Sequence, residues 1–184
     1  RNYSYFSYDS SEALPLSAEE RQTIVDTIER IRAEIDHHAD KFSKRLIISN
    51  IELLLDYCMR YYSRQFIVRE EMNYGIIAKF ENLLDSYLSD GKGAEDGIPS
   101  VKYFADKVAL SPNYFGDLVK RETGVTAQDY IHEKVLNQAK MRLLSGDKNV
   151  SQVAYSLGFQ YPQHFIRFFK RKAGVTPKEF INMN

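Results

Sequence analysis

Several patterns that define other classes of protein are missing from this sequence. Among 184 residues there is one cysteine, Cys58, and no tryptophan. An intrachain disulfide is therefore excluded, and the chain fits a reducing compartment, the cytoplasm. No run of ~18 apolar residues occurs, so we expect no spanning helix and no membrane partner. No signal peptide is recognisable. The chain opens with Arg1 rather than Met, so we expect it to be a piece of a longer protein.

Signatures of catalysis are also missing. The sequence has no glycine-rich phosphate loop, no metal-ligand cluster and no evident nucleophile–base pair. His37 and His38 are adjacent, but neighbouring helical side chains point about 100° apart and do not easily chelate one ion. Cys58 lies in an apolar helix and is better explained as a small buried hydrophobe. We therefore expect no enzyme, no metal site and no cofactor.

Charge is balanced over the whole chain but not along it. The formal net charge is zero, which by itself argues against a nucleic-acid partner. Residues 1–99 carry 12 basic and 18 acidic side chains, whereas residues 100–184 carry 13 basic and 7 acidic ones. The boundary falls in a stretch of three glycines and a proline. We therefore predict an acidic domain over 1–90, a linker over 91–99 and a basic domain over 100–184.

The acidic domain is predicted to be an antiparallel bundle of three helices. Residues 17–20, Ser-Ala-Glu-Glu, form a capping box that starts the first helix. A second helix, apolar on most sides, is expected over about residues 44–62, before residues 64–66 break the pattern. The third, over about 70–88, presents one apolar face made of Met72, Ile76, Phe80, Leu83, Leu84 and Tyr87. Ahead of the bundle, the aromatic residues 3–8 favour a short strand.

The first helix carries an apolar seam with spacings of four and three. Its members are Ile24, Ile28, Ile31, Ile35, His38 and Phe42, nearly three heptads. Isoleucine suits a coiled-coil seam and a buried globular face equally well. Ordinary core packing is the favoured interpretation. A homodimer through Ile24, Ile28, Ile31 and Ile35 is the alternative.

The basic domain contains an internal repeat with an offset of fifty residues. Residues 112–131 and 162–181 share eight identities in twenty positions: Pro112/Pro162, Phe115/Phe165, Lys120/Lys170, Arg121/Arg171, Gly124/Gly174, Val125/Val175, Thr126/Thr176 and Ile131/Ile181. Upstream the offset becomes forty-nine, pairing Ala109 with Gly158 and Leu110 with Phe159. The same local layout is therefore expected twice.

Each copy has the layout of a helix-turn-helix motif. A short helix (about 100–109 or 150–157) is followed by a tight turn at Ala109 or Gly158 and by an apolar plug at Leu110 or Phe159. The second helix has proline in its first turn and ends at Gly124 or Gly174, where a left-handed C-cap is expected. Between the copies, a helix from Thr126 to about residue 145 has a length of about 30 Å. Successive major grooves on one face of DNA are about 34 Å apart.

Residues 100–184 resemble the DNA-binding domain of the AraC/XylS family of bacterial transcription regulators. The resemblance lies in Gly158-Phe159, Phe165, Phe168-Phe169-Lys170, Gly174 and Thr176-Pro177, in Leu143-Leu144, and in the segments 110–115 and 120–124. It implies an all-α fold in which two helix-turn-helix subdomains are joined by a long helix. The acidic half resembles the helical region that follows the barrel-like effector domain in some members, a remnant of an effector or dimerisation region. Phe180-Ile181 departs from the Tyr-Arg found in many members, so a phosphate contact from that arginine is missing.

The resemblance assigns base-reading positions in the second motif to Gln163, His164 and Arg167. Glutamine reads adenine and arginine reads guanine by paired hydrogen bonds. The first-motif candidates, Asn113, Gly116 and Asp117, are weaker, although Asp117 can accept from a cytosine amino group. The aromatic positions Phe165, Phe168 and Phe169 are expected in the core. The phosphate-contact candidates are Ser111, Tyr114, Lys120, Arg121, Tyr161, Lys170, Arg171 and Lys172. For Ser111 we expect a helix cap, and for Tyr114 packing in the core is the alternative.

The sequence therefore predicts a DNA-binding transcription regulator, with activation favoured because it is commoner in the family. Its partners are double-stranded promoter DNA and, for an activator, RNA polymerase. Helix-turn-helix units also serve as protein-docking modules. A module that docks RNA polymerase or an antagonist is therefore the alternative function. Residues 150–184 have a net charge of +4 and residues 100–125 of +1, so we expect the second motif to supply more of the electrostatic affinity.

Overall fold

The computed structural model describes residues 3–12, 15–36, 38, 40–68 and 70–183, with the side chains of 65–72 excepted. Every regular element in these ranges is helical, which confirms the all-α prediction. The chain divides into two compact units, residues 1–73 and 74–184. The division falls inside the third α-helix rather than at residue 90.

The first unit contains a pair of packed helices, α1 (Ala18–Asp36) and α2 (Ser43–Val68). The expected capping box starts α1, because the Ser17 N–H donates to Glu20 Oε2 at 2.9 Å and the Glu20 N–H to Ser17 Oγ at 3.2 Å. The bond from the Ser17 backbone lowers the pKa of the Glu20 carboxyl. Arg64 of α2 pairs with Glu20 at 2.5 Å. The break predicted at residues 64–66 is therefore wrong, since α2 continues through it.

The aromatic N-terminal segment forms a 3-10 turn, Ser4–Ser7, and not the predicted strand. An isolated strand leaves its backbone unpaired, whereas this turn brings an aromatic side chain onto α2. The Tyr5 hydroxyl donates to the Leu55 carbonyl at 3.1 Å, and its ring stacks on Tyr62 with centroids 5.0 Å apart. Burial raises the pKa of Tyr5 to about 12.

The apolar seam of α1 is shorter than predicted, because α1 ends at Asp36. His38 and Phe42 lie beyond that end, and His37 lies outside the described residues. Ile24 and Ile31 are half-buried, while Ile28 is 43% exposed and Ile35 is 62% exposed. In this unit the seam is therefore only partly covered.

From residue 74 onward the third helix, α3 (Glu70–Ser89), contributes Phe80, Leu84 and Leu88 to the core of the second unit. Phe80 and Leu84 are fully buried. The Phe80 ring meets Phe104 and Phe115 edge-on, each at a centroid distance of 5.1 Å. Propensity and spacing locate this helix correctly, but its packing partner lies further along the chain.

The second unit then continues through seven helices among the described residues. They are α4 (Lys92–Asp96), α5 (Val101–Lys107), α6 (Pro112–Thr123), α7 (Ala127–Leu144), α8 (Val150–Ser156), α9 (Pro162–Ala173) and α10 (Pro177–Met183). Helices α5–α6 and α8–α9 are the two predicted helix-turn-helix motifs, and α7 is the long connector. One apolar core, with Ile131 and Val135 of α7 fully buried, joins both motifs.

The two motifs share the backbone geometry that the repeat predicts. Both turns have positive φ, 58° at Ala109 and 94° at Gly158. Gly124 and Gly174 end α6 and α9 as left-handed C-caps with φ of 78° and 82°. The Thr126 side chain caps α7 by accepting from the Asp129 N–H at 3.1 Å.

Residues 91–99, expected to be a linker, contain the short helix α4; we call this segment the strap. It packs closely against α8 and the turn that follows. A Cβ placed on Gly93 would lie 3.0 Å from the Leu157 carbonyl carbon, and one on Gly158 would lie 2.4 Å from the Gly97 carbonyl carbon. The strap therefore meets the second motif backbone to backbone.

Within the described ranges, the helices are all too short or too polar to cross a membrane.

Candidate nucleic-acid interface

Helix α9 separates an aromatic inner face from a polar outer face. Phe165 and Phe169 are fully buried and Phe168 nearly so, as expected for core positions. The plug Phe159 meets Phe165 at 5.2 Å and Phe168 at 5.3 Å between ring centroids. These contacts fix the helix in the unit and leave its other face in solvent.

The outer face of α9 brings the second-motif candidates together. Gln163, His164 and Arg167 are all exposed on the first turns of the helix. Tyr161 is the N-cap and is also exposed, with its ring edge-on to His164 at 5.4 Å. The Tyr161 side chain caps no backbone amide among the residues that the structure describes. The helix N-terminus and two side chains suited to base edges thus share one accessible face.

The basic C-terminal end of α9 divides into two environments. Lys170 and Arg171 are exposed. The Lys172 ammonium instead pairs with Asp129 of α7 at 2.8 Å, and this hydrogen bond lowers the pKa of the Asp129 carboxyl. Lys172, predicted as a phosphate contact, is therefore partly neutralised by its own domain.

Asp129 and His132 of α7 lie next to α9, beside the candidate interface, and sequence reasoning missed both. His132 packs edge-on against Phe168 at 5.4 Å, and burial lowers the pKa of its imidazole. Both residues lie on the α7 face that supports α9. Asp129 lies inside the repeated segment, opposite Glu179, and His132 lies one residue beyond it, so the repeat gave no signal for their contacts with α9. The nearest signal was the Thr126–Asp129 spacing, which indicates only a helix cap.

Helix α6 presents the first-motif candidates on a more mixed face. Asn113 is exposed, and Gly116 and Asp117 are half-buried. A Cβ on Gly116 would meet nothing within 4 Å among the described atoms. Lys120 and Arg121 are exposed near the C-terminal end. Ser111 is the N-cap, as expected, and its Oγ accepts from the Tyr114 N–H at 3.2 Å.

Tyr114 does not lie on this surface. It is 2% exposed, and Leu118, one turn further along α6, is fully buried with it. The burial of the Tyr114 side chain agrees with the alternative, packing in the core, and disfavours the predicted phosphate contact. The matching position in the second motif, His164, is exposed, so the repeat does not preserve burial here.

The connector sets the scale of the interface. Helix α7 has 18 residues, two fewer than expected, and at 1.5 Å per residue its length is about 27 Å. Both motifs belong to the same compact unit. Helix α6 leads into the start of α7, and α9 packs back along α7, with Lys172 and Phe168 against Asp129 and His132 in its first two turns.

Other candidate sites in the chain carry little chemistry. Cys58 is half-buried, and burial raises the pKa of its thiol, which disfavours a nucleophilic thiolate. Among the described residues, no three His, Cys, Asp or Glu side chains are placed to hold a metal ion.

An exposed, partly basic face on paired helix-turn-helix motifs defines a bipartite DNA-binding domain. The family model described as a helix-turn-helix domain matches residues 104–183. The HTH-type transcriptional activator RhaS of Escherichia fergusonii is 36% identical over 75 residues, 41% of this chain and 27% of RhaS. The uncharacterised HTH-type transcriptional regulator YobQ of Bacillus subtilis is 25% identical over 182 residues, 92% of this chain and 74% of YobQ.

A solved structure matches over the same region. The C-terminal domain of the two-component response regulator yesN of Fusobacterium nucleatum is 25% identical, with a TM-score of 0.50, over 56% of this chain and 95% of that one. Residues 104–183 therefore form a helix-turn-helix domain similar to those of RhaS and yesN, which confirms the AraC-type resemblance of this part of the chain. The chain spans less than a third of the length of most of the curated relatives it matches.

Proposed function

We propose that this chain is a cytoplasmic, sequence-specific regulator that places α6 and α9 in consecutive major grooves of a promoter. The outer face of α9 carries the proposal, because base-reading and phosphate-binding side chains are exposed together there while the aromatic face is buried. The connector of about 27 Å is close to the groove repeat of about 34 Å. RhaS is named an activator, and we propose activation for this chain as well.

We propose separate roles for the exposed side chains. Base edges are contacted by Gln163, His164 and Arg167 in the second motif and by Asn113, Gly116 and Asp117 in the first. Phosphates are contacted by Lys120, Arg121, Tyr161, Lys170 and Arg171, with a weaker contribution from Lys172 because of its pairing with Asp129. Ser111 acts through the cap that it places on α6.

Protein partners follow from the first unit and from activation. Ile28 and Ile35 leave an apolar stripe on α1 exposed, which supports a homodimer through Ile24, Ile28, Ile31 and Ile35. An activator also contacts RNA polymerase, and we propose that this contact uses surface left free by DNA. We propose no catalytic role, since the half-buried Cys58 thiol is poorly suited to act as a nucleophile.

A binding selection on a pool of random duplexes, run with the chain at about 0.15 M salt, tests the proposal. We expect an enriched site with two half-sites about one helical turn apart, and a mobility shift on that site which a scrambled duplex does not compete. The variant Gln163→Ala/Arg167→Ala should lose the enrichment, whereas Lys79→Ala, on exposed α3 surface, should keep it. Enrichment of no sequence would overturn the proposal in favour of a protein-docking module.

A further inference from the structure

Three helix C-termini converge on the Arg142 side chain. Helices α3, α7 and α8 end at Ser89, Leu144 and Ser156, and Arg142 lies in the last turn of α7. Its Nη1 donates to the Ser156 carbonyl at 3.0 Å and to the Ser156 hydroxyl at 2.8 Å. Its Nη2 donates to the Leu88 carbonyl. The last carbonyls of a helix have no intrahelical partner and form its negative end, so one guanidinium satisfies two helices while belonging to a third.

The setting of Arg142 differs from that of a surface cation. The residue is half-buried, and burial lowers the pKa of the guanidinium, which stays charged at neutral pH. No carboxylate pairs with it among the residues that the structure describes. Its partners are carbonyl and hydroxyl oxygens at helix ends. A guanidinium held in this way has a fixed geometry, because its planar fork fits several acceptors at once.

The strap makes a second attachment to the same part of the second motif. Gly93 of the strap lies against the Leu157 backbone, and Gly97 lies so close to Gly158 that a Cβ on Gly158 would collide with the Gly97 backbone. The Tyr87 hydroxyl of α3 donates to the Gly97 carbonyl at 3.0 Å. Arg142 and the strap thus hold the end of α8 and the turn that leads towards α9.

Helix α3 makes the corresponding attachments towards the first motif. Phe80 packs between Phe104 of α5 and Phe115 of α6. Along α7, Glu81 accepts from the Tyr130 hydroxyl and Asp85 pairs with Lys134 at 3.2 Å. Since partner numbers rise together on both helices, α3 and α7 run parallel. α3 therefore spans from the first motif to the second beside the connector.

We propose that Arg142 and the strap are positioning elements that lock the second motif to the first through α3, so that the chain accepts one half-site spacing. The proposal rests on the proposed DNA binding by both motifs. Helix α7 sets the distance between the motifs, and α8 and α9 pack against it, but contacts with one helix alone still leave a pivot about that helix. The attachments to α3 oppose that pivot, and Arg142 is the one that a side-chain substitution removes most cleanly.

The first test measures spacing tolerance in DNA binding. Duplexes carrying the selected half-sites receive insertions or deletions of one and two base pairs between them, and a single half-site serves as the reference. We expect wild type to lose at least tenfold in affinity per base pair of displacement. Arg142→Met should lose about threefold to tenfold at the best spacing, show a flatter spacing profile, and bind the single half-site like wild type. Arg142→Lys should fall between them, because an ammonium lacks the planar fork. An unchanged spacing profile, or an equal loss on every duplex, would overturn the proposal.

The second test needs no DNA and separates this inference from the proposed function. Spin labels at Asp106→Cys on α5 and Ser151→Cys on α8, both exposed positions, report the distance between motifs in a Cys58→Ser background. We expect one narrow distance distribution in the parent and a broadened one after Arg142→Met. A broader distribution in Arg142→Met, in a chain that binds no DNA, would support the positioning role of Arg142 and contradict the proposed function. Equally narrow distributions would contradict the positioning role. If circular dichroism shows that Arg142→Met is unfolded, Gly93→Ala in the strap decides by the same distance measurement.

Discussion

The two helix-turn-helix motifs share a backbone path but differ at the turn, at the N-cap and on the exposed face. The first turns at Ala109, is capped by Ser111 and exposes Asn113 with a half-buried Asp117. The second turns at Gly158, begins at Tyr161 and exposes Gln163 with Arg167. The buried positions of the repeat, Phe115 and Phe165, are the same residue in both copies. The C-cap glycines and the basic pair at the end of each second helix also repeat, while the candidate base-reading positions diverge.

Because of this difference, we do not expect the two motifs to recognise the same bases. The offset of fifty places Asp117 opposite Arg167, an acceptor against a donor, so we expect the two helices to select different bases. The net charge of residues 150–184 exceeds that of residues 100–125. The second motif is thus the more basic of the two, and the strap packs against it. Substitutions at matched positions of the two motifs test this difference.

The largest effect is expected at the turns. In Gly158→Ala the new Cβ would lie 2.4 Å from the Gly97 carbonyl carbon at a φ of 94°. We expect a loss of about 2–4 kcal/mol in the free energy of unfolding. Ala109→Gly relieves a left-handed alanine but frees the unfolded chain, so its effect should stay within about 1 kcal/mol. Urea unfolding followed by circular dichroism measures both, and a Gly158→Ala protein as stable as Ala109→Gly would contradict the close approach.

Local signals made much of this fold predictable. Proline in the first helical turn, glycine C-caps and matched apolar spacing located both motifs and the connector, because each signal acts within a few residues. The elements against which each helix packs were harder to predict from the sequence. The spacing of Phe80 and Leu84 identified an apolar face on α3 but not the unit that buries it. Residues 91–99 indicated a linker, since glycine marks both flexible chain and close backbone contact.

The site followed the same division. The exposure of Gln163, His164 and Arg167 agrees with their helical positions opposite the buried phenylalanines. The environments of Tyr114 and Lys172 were not predictable from the repeat, because they depend on the core around Leu118 and on Asp129 of another helix. A repeat predicts the backbone position of a residue but not the residues that its side chain contacts. Arg142 had no sequence signal at all.

The next effect concerns base reading by the matched pair Arg167 and Asp117. Arg167→Ala should cost about 1–3 kcal/mol at the selected site and relax the preference at one base pair, because a paired contact to guanine is lost. Asp117→Ala should cost less, since it also removes a negative charge beside phosphates. Fluorescence anisotropy on the selected duplex and on its single-base variants measures both, with Lys79→Ala as the charge-matched control for Arg167→Ala. A loss for Arg167→Ala that is equal on selected and random DNA would instead make Arg167 a phosphate contact.

The smallest effect is electrostatic and is best seen in the salt dependence of binding. Each phosphate contact contributes about 0.9 to the slope of log affinity against log salt concentration. Lys170 stands beside Arg171, with Arg167 one turn earlier, whereas Lys120 shares α6 with Asp117 and Glu122. Lys170→Ala should therefore lower the slope by about 0.9 and Lys120→Ala by less. Lys172→Ala should also fall short of Lys170→Ala, because Asp129 already pairs with that ammonium.

The three variants remove the same charge, so their ranking isolates position from charge. Anisotropy titrations on the selected duplex between about 0.05 and 0.2 M salt give the three slopes. If the second motif supplies more of the electrostatic affinity, Lys170→Ala gives the largest change and Lys120→Ala a smaller one. An equal or larger change for Lys120→Ala would reverse that order, and the net charge of the second motif would then reflect a solvated helix end rather than contact with DNA. Should Lys172→Ala match Lys170→Ala, the Asp129 ion pair must open on DNA.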